Sequence, residues 1–577
     1  MRLLEQTPKE HEVRTQGPGE PPHNGHKDWG HGDNPGDNQP DSPGPATSQP
    51  ASWHGWLLST RFLVGLAMVM GAIAHGYNFF SYPLYITDEG VYMQQAWAVL
   101  REARLSPYTY FYDHAPAGWI MIAAWVRLLP LQFATFGNAI DTGRTLMLLV
   151  HVANVFLLFY VTYRLSQSRM AAFVATFLFN LSPLAIFYQR QVLLDNMLVF
   201  WILLGLYLAT SSNKGIMVPM ASGLCLGIAS LTKENGIFFA PVVIYLLYHH
   251  VRNRPNFRFA LGFWAFSFAA SISFYFLYAT LKNELFPTDL DFDPNNPPAD
   301  HVSLLYTLWW QLNRNQGSAF DPSSLFWQFS VGRWVPKDVF ILAAGGAAMM
   351  INLVIGLLKR PERRGYLAAS LLALGYAVYL IRGSVVLEFY ILPLLPFLAM
   401  NIGILFAHLA RYLPTVGRGA ALSIFFGILL LHPTWGYVLV IDEFGKVVTH
   451  DLYKLDLTYL QDQQVDFVRH NIPSNAKIVT DDDIWVQLHD VRPYYRFAHS
   501  HWKVSSDPDV RDKLFAKNWR NIDYIVMSNQ MLITMQQNNG DGHYDWILEG
   551  IKNAKLVWVG ERPNGGGVRL EVYQIQK

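Results

Sequence analysis

Two adjacent carboxylates, Asp88 and Glu89, stand in the stretch Ile86-Thr-Asp-Glu-Gly90, directly after the first long apolar segment. A carboxylate at a membrane surface can take the proton of an acceptor hydroxyl as a new bond forms. The same residues suit a helix start, with Thr87 or Asp88 as the cap and acids favoured in the first turn. The two roles are compatible. A second polar cluster, Asp113-His114-Ala115-Pro116, precedes the apolar run from Trp119. Its histidine and acids lack tight ligand spacing, so they give no support to a metal site.

Three cations carry the other half of the chemistry. Arg190 is followed by Asp195, Lys233 by Glu234 and Arg382 by Glu388. A charge at membrane depth costs about 2.5–3.5 kcal/mol on insertion scales, so such residues face partners or cavities. Local ion pairs at helix ends are one account. Arg190 and Asp195 are five residues apart, about 140° around a helix, which makes a poor local pair. Cations on one membrane face beside two carboxylates suit a different task. They can hold a lipid-linked phosphate next to an acid that activates an acceptor.

The elements that must position these residues are membrane spans. The chain has 577 residues, 51% of them hydrophobic and 15% charged. A typical soluble domain carries about 25% charged residues, so a soluble enzyme is excluded. The net charge of +1 gives no reason to expect nucleic acid, and Cys225, the single cysteine, excludes an internal disulfide framework. Residues 1–52 are polar and rich in Gly, Pro, Asn and Asp, and read as a disordered cytoplasmic tail. Its four histidines fit a flexible tail better than a metal site. Eleven apolar segments follow, at 62–84, 145–163, 170–188, 192–210, 216–231, 236–250, 259–280, 339–358, 366–381, 389–408 and 419–441. About 20 apolar residues cross the hydrocarbon core. Residues 91–128 suit amphipathic helices at the interface, and 283–337 reads as a long outward loop.

Basic residues set the orientation. With the N-terminus cytoplasmic, the inward loops carry twelve Lys and Arg, and the short outward turns carry three, Arg190, Lys233 and Arg382. An odd number of spans then puts residues 442–577 outside. That region reads as a small α/β domain, with strands at 477–480, 523–527, 555–560 and 568–575 and helices near 457–471 and 508–519. Gly565-Gly566-Gly567 fits a hairpin turn, and no GxGxxG or Walker motif supports nucleotide binding.

Five stretches, taken in order, resemble the protein O-mannosyltransferase family. They are Thr87-Asp88-Glu89, Tyr112-Asp113-His114-Ala115-Pro116-Ala117-Gly118, Arg190-Gln-Val-Leu-Leu-Asp195, Ser230-Leu-Thr-Lys233-Glu-Asn-Gly236 and Phe389-Tyr390-Ile-Leu-Pro-Leu-Leu-Pro396. The wider likeness, over about 60–410, is to bacterial membrane glycosyltransferases, among them the aminoarabinose transferases that modify lipid A. These share the GT-C fold. The eleven apolar segments give a polytopic α-helical membrane protein of about eleven spans, and the loop charges make 442–577 an extracytoplasmic α/β domain. The resemblance implies a multi-spanning transferase with residues 53–441 as its GT-C-like catalytic domain. It implies Asp88 as the family's first-loop acid, with Glu89 beside it, and places the fourth-helix Arg and Asp on Arg190 and Asp195. Ala115 replaces the first proline of the family's His-Pro-Pro stretch.

The expected reaction is inverting transfer of a monosaccharide from a polyprenyl-phosphate carrier to an extracytoplasmic glycan, lipid or protein. Asp88 is the expected base, with Asp113 next in line. Lys233, Arg382 and Arg190 are expected on the donor phosphate, and Asp113, His114, Asp195 and Tyr390 near them. No cofactor is expected, and the scheme neither requires nor excludes a metal. The expected place is a cell (plasma or inner) membrane. A transporter or flippase for lipid-linked sugar is the alternative, and a glycan-binding receptor a third, weaker one.

Overall fold

The computed structural model describes residues 59–109, 112–211, 215–287, 303–313, 317–358, 364–382, 386–431, 437–441, 447–451, 455–537, 543–561 and 569–577. The chain divides into Met1–Trp53 and His54–Lys577. The N-terminal tail and the Gly565–Gly567 turn lie outside the described residues.

Every one of the eleven apolar segments holds a helix. In chain order the membrane part contains α1 (Thr60–Gly76), α2 (Thr87–Glu102), α3 (Ala117–Leu128), α4 (Ala139–Ser166), α5 (Arg169–Leu181), α6 (Pro183–Gln189), α7 (Leu194–Ala209), α8 (Met217–Thr232), α9 (Ala240–Val251), α10 (Phe257–Leu281), α11 (Leu304–Asn313), α12 (Gly332–Lys337), α13 (Val339–Leu357), α14 (Arg364–Leu380), α15 (Leu395–Ala410) and α16 (Thr415–Leu431). By length and composition four stretches can cross a membrane: α4, α10, α13 and Glu388–Ala410. The pair α5–α6 makes a fifth, bent by 61°. Pro183 opens α6 there, and Ser182 Oγ accepts from the Ala185 amide at 3.3 Å. The other apolar helices, such as α1 with its 17 residues, reach only about 25 Å against a 30 Å core, so the expected eleven spans are not matched one for one.

Two expectations are corrected. Residues 283–337 are not a plain loop, because α11 and α12 fold within them. Residues 437–441 do not continue the last span. They form a strand, β1 (Tyr437–Ile441), antiparallel to β2 (Val447–Asp451).

The C-terminal region is α/β. Its sheet runs β4 (Ala498–Ser500), β3 (Ile478–Thr480), β5 (Tyr524–Ser528), β7 (Arg569–Ile575), β6 (Ala554–Glu561). β3 is parallel to β4 and β5, while β7 is antiparallel to β5 and β6. The four expected strands are present. Helix α17 (Tyr459–Asn471) packs Val465 and Val468 onto Ile478, Val526 and Val572.

This region docks on α2, the helix that begins with Asp88. Gln94 Nε2 donates to Asp482 Oδ1 at 2.7 Å. Trp97 Nε1 and Arg101 Nε donate to Asp490 Oδ1 at 2.9 and 2.7 Å. Gln461 Oε1 accepts from the Tyr85 amide at 2.9 Å. Gly90 is required by this contact, since a Cβ there would stand 2.2 Å from the Asp482 carbonyl. The helix expected at the interface is therefore largely covered by protein, with Tyr92, Met93, Gln94 and Ala96 all buried.

Candidate active site

The first turn of α2 separates its two acids. Ile86 occupies the N-cap and Glu89 Oε2 accepts from its amide at 3.3 Å, so Glu89 does the capping. Glu89 is fully buried. Its carboxylate receives Arg144 Nε at 2.9 Å and Nη2 at 2.8 Å, and the Val192 amide at 2.9 Å. Every oxygen is engaged, and the residue lines neither cavity described below.

Asp88 is half-buried and lines a cavity of about 230 Å³ with Thr87, Tyr92, Asp113, His114 and Trp502. Tyr92 Oη donates to Asp88 Oδ1 at 3.4 Å. Burial pushes the Asp88 carboxyl up to about 6, aided by Asp113 and opposed by Lys233. A second cavity of about 180 Å³ is lined by Lys233, Arg382, Tyr390, Glu234 and Gln311. Asp113 and His114 line both cavities, and so connect the acid to the cations.

The loop between α2 and α3 is pinned by Glu234. Its Oε1 accepts from the Ala115 amide at 2.7 Å and its Oε2 lies 3.2 Å from His114 Nδ1. His114 Nε2 is 3.7 Å from Asp113 Oδ2. Burial alone would lower the His114 pKa, but Asp113 and Glu234 outweigh it and the net direction is up. Asp113 Oδ1 accepts from Gln311 Nε2 at 2.9 Å.

None of the three sequence-adjacent charge pairs forms as such. Lys233 is buried and pairs with Asp195, Nζ to Oδ2 at 2.7 Å, with Nζ 3.6 Å over the Tyr390 ring. Glu388 pairs with Arg333 and with Lys337 at 2.9 Å. Arg382 is exposed, its guanidinium 4.1 Å over the Tyr379 ring, and no carboxylate pairs with it among the described residues. Arg190 lines neither cavity. It is buried and donates to the carbonyls of Ala74, Tyr77 and Tyr82 at 2.9, 3.0 and 3.4 Å.

The structure thus gathers Asp88, Asp113, His114, Lys233, Asp195, Tyr390 and Arg382, and leaves Glu89 and Arg190 apart. Tyr92, Glu234, Gln311 and Trp502 are the additional members. Tyr92 was legible, four residues from Asp88 on the same helix face. Gln311 and Trp502 come from segments with no local signal. Chemically the arrangement offers a carboxylate with a raised pKa, beside a partly neutralised cation and an exposed one.

Residues 125–287 match the family described as Dolichyl-phosphate-mannose-protein mannosyltransferase. No curated protein matches the chain. Among solved structures, ArnT from Cupriavidus metallidurans bound to undecaprenyl phosphate is 14% identical with a TM-score of 0.53, over 91% of this chain and 99% of that one. The Archaeoglobus fulgidus oligosaccharyltransferase, tethered to an acceptor peptide containing the NVT sequon, is 12% identical with a TM-score of 0.52, over 90% and 75%. The archaeal oligosaccharyltransferase AglB from the same organism, with an inhibitory peptide and a dolichol-phosphate, is 12% identical with a TM-score of 0.51, over 91% and 75%. The chain shares the GT-C fold of these membrane glycosyltransferases, in keeping with the resemblance that its motifs carry.

Proposed function

We propose, with the GT-C fold as premise, that this multi-pass membrane protein moves a sugar from a polyprenyl-phosphate carrier to an acceptor on the extracytoplasmic face of a cell membrane. The observation that carries the reading is the adjacency of the two cavities. Asp88 lines one, Lys233 and Arg382 line the other, and Asp113 and His114 line both. The acceptor hydroxyl attacks the anomeric carbon in one inverting displacement, and Asp88 takes its proton. The leaving phosphate carries negative charge and needs cations more than an acid. Lys233 and Arg382 supply them, with Arg382 as the more available of the two. Glu89 is assigned to hold Arg144, its carboxylate oxygens being engaged there, and Arg190 to hold the carbonyls of Ala74, Tyr77 and Tyr82 with its Nη atoms.

The solved relatives named above bind undecaprenyl phosphate and dolichol-phosphate, which supports a lipid-linked donor. The experiment is transfer of label from a radiolabelled polyprenyl-phosphate sugar to extracted cell-envelope acceptors by the protein purified in detergent. Labelled product is the expected result. Donor binding without transfer to any acceptor fraction would overturn the assignment.

A further inference from the structure

The parallel strands β3 and β4 run side by side, with Thr480 opposite Ser500. Asp481-Asp482-Asp483 and His501-Trp502 therefore leave the carboxyl ends of neighbouring strands together. Ligands favour such strand ends in open α/β sheets. Asp481, Asp482, Asp483 and His501 are 6, 0, 7 and 4% exposed. No Lys or Arg pairs with any of the three acids among the described residues. Their hydrogen-bond donors are neutral. Thr87 and Ser528 serve Asp481, and Gln94, Ser500 and Trp502 serve Asp482. Consecutive buried carboxylates without a cation carry a large desolvation cost.

A second observation points to what offsets it. A ring nitrogen of His501 lies within 4.8 Å of carboxylate oxygens of Asp481 and Asp482, which are within the same distance of each other. His501 Nδ1 is buried and has no hydrogen-bond partner, and neither does Thr480 Oγ1 at the end of β3. We propose that Asp481, Asp482 and His501 bind a divalent transition-metal ion of the zinc class, with water in the remaining position. Two carboxylates and an imidazole suit zinc or manganese, while magnesium and calcium prefer oxygen alone. Zinc ligands sit about 2.0–2.2 Å from the ion, so closure needs side-chain shifts on the order of 1 Å. Ser500, Gln94 and Ser528 already orient the carboxylates, as outer-sphere donors do in metal sites. Asp483 points its Oδ2 to Gln461 at 2.5 Å and stays outside the ligand set. The ion would tie the C-terminal region to α2, because Thr87 and Gln94 both reach the same carboxylates.

The test uses the full-length protein in detergent. Metal content is measured by plasma mass spectrometry, and melting is followed after chelation and titration with Zn²⁺ or Mn²⁺. The wild type should hold about one equivalent and melt higher with the ion, as any ligand of the folded state requires. His501→Gln should lose that equivalent and the melting response. An unchanged metal content and response in His501→Gln would overturn the proposal, as would a wild type that takes up neither ion. Should the variant misfold, zinc-edge X-ray absorption of the wild type decides. One imidazole among oxygens supports the site. Several imidazoles would assign the metal to the histidines of residues 1–52 and overturn it.

Discussion

At the scale of the residue, Asp88 and Glu89 are neighbours in sequence with separate tasks. Glu89 pairs with Arg144 where both are buried, and breaking such a pair by removing one partner costs about 3–5 kcal/mol. Glu89→Gln should therefore lower the melting temperature markedly and reduce yield before it reveals anything about rate. Asp88→Asn should behave in the opposite way. General-base catalysis contributes about 10²–10⁴-fold, so transfer should fall by that order, with donor binding and expression retained. An active Asp88→Asn protein would move the base to Asp113. The pH profile gives a second check. The carboxyl must be ionised to accept a proton, and burial holds it at about 6. The rate should fall about tenfold per unit below that pH. Stability moves the other way. The folded state binds the proton more tightly than the unfolded chain, so this group makes the protein less stable as pH rises from about 4 to 6. Asp88→Asn removes that effect, and its melting temperature relative to the parent should be higher at pH 8 than at pH 4. Lys233 needs more care than its sequence position suggests. Lys233→Met leaves Asp195 buried without its cation, so loss of donor binding would be confounded with misfolding. Arg382→Met is the cleaner probe of the phosphate, and should weaken donor binding with little change in melting.

At the scale of the element, the strand and helix patterns were legible where a period repeats long enough. Each apolar segment holds a helix, and the four strands foreseen after residue 476 are all present. β4 was not foreseen, because Ala498-His-Ser500 has no β-branched residue, whereas the equally short β3 is Ile478-Val-Thr480. The strand Tyr437–Ile441 was absorbed into an apolar run, since valine and isoleucine serve a span and a strand alike. The local ion pairs that were one account of the cations are absent for a related reason. Sequence proximity suggested Lys233 with Glu234, but Lys233 is the extended residue after α8, and the chain turns there into a 3₁₀ segment. The two side chains diverge, one to Asp195 and one to His114. Nothing local announced that α2 would be covered by residues some 390 positions later. Gly90 is where that contact can be tested. A methyl group there meets the Asp482 backbone at 2.2 Å, and backbone cannot rotate away as a side chain can. Gly90→Ala should force the C-terminal region off α2 and speed its release by limited proteolysis. Proteolysis at the parental rate would mean that the contact is not maintained in solution.

At the scale of the whole molecule, the ends of the helices sort by charge. Arg164 lies near Thr210, with Nη1 3.5 Å from its hydroxyl, and His250 contacts the Ser211 carbonyl. Gly365 packs against the Leu165 carbonyl, and Tyr366 reaches His408 at 3.0 Å. The helix ends that flank the basic connections thus meet at one end of the bundle. Asp88, His114, Lys233 and Arg382 line the two cavities, and Trp502 of the C-terminal region closes onto the one that holds Asp88. Because that region is hydrogen-bonded to α2, it must lie on the same side of the membrane as the site. The basic residues favour the cytoplasm for their own end. A reporter that works only in the cytoplasm, fused after Lys577, should therefore be silent, and one that works only outside should be active. The same reporters placed in the connection near Lys359 should give the reverse pattern. Cytoplasmic activity after Lys577 would put the cavities on the cytoplasmic side as well, since the docking contacts forbid separating the two. Transfer would then have to draw on a donor and an acceptor from within the cell.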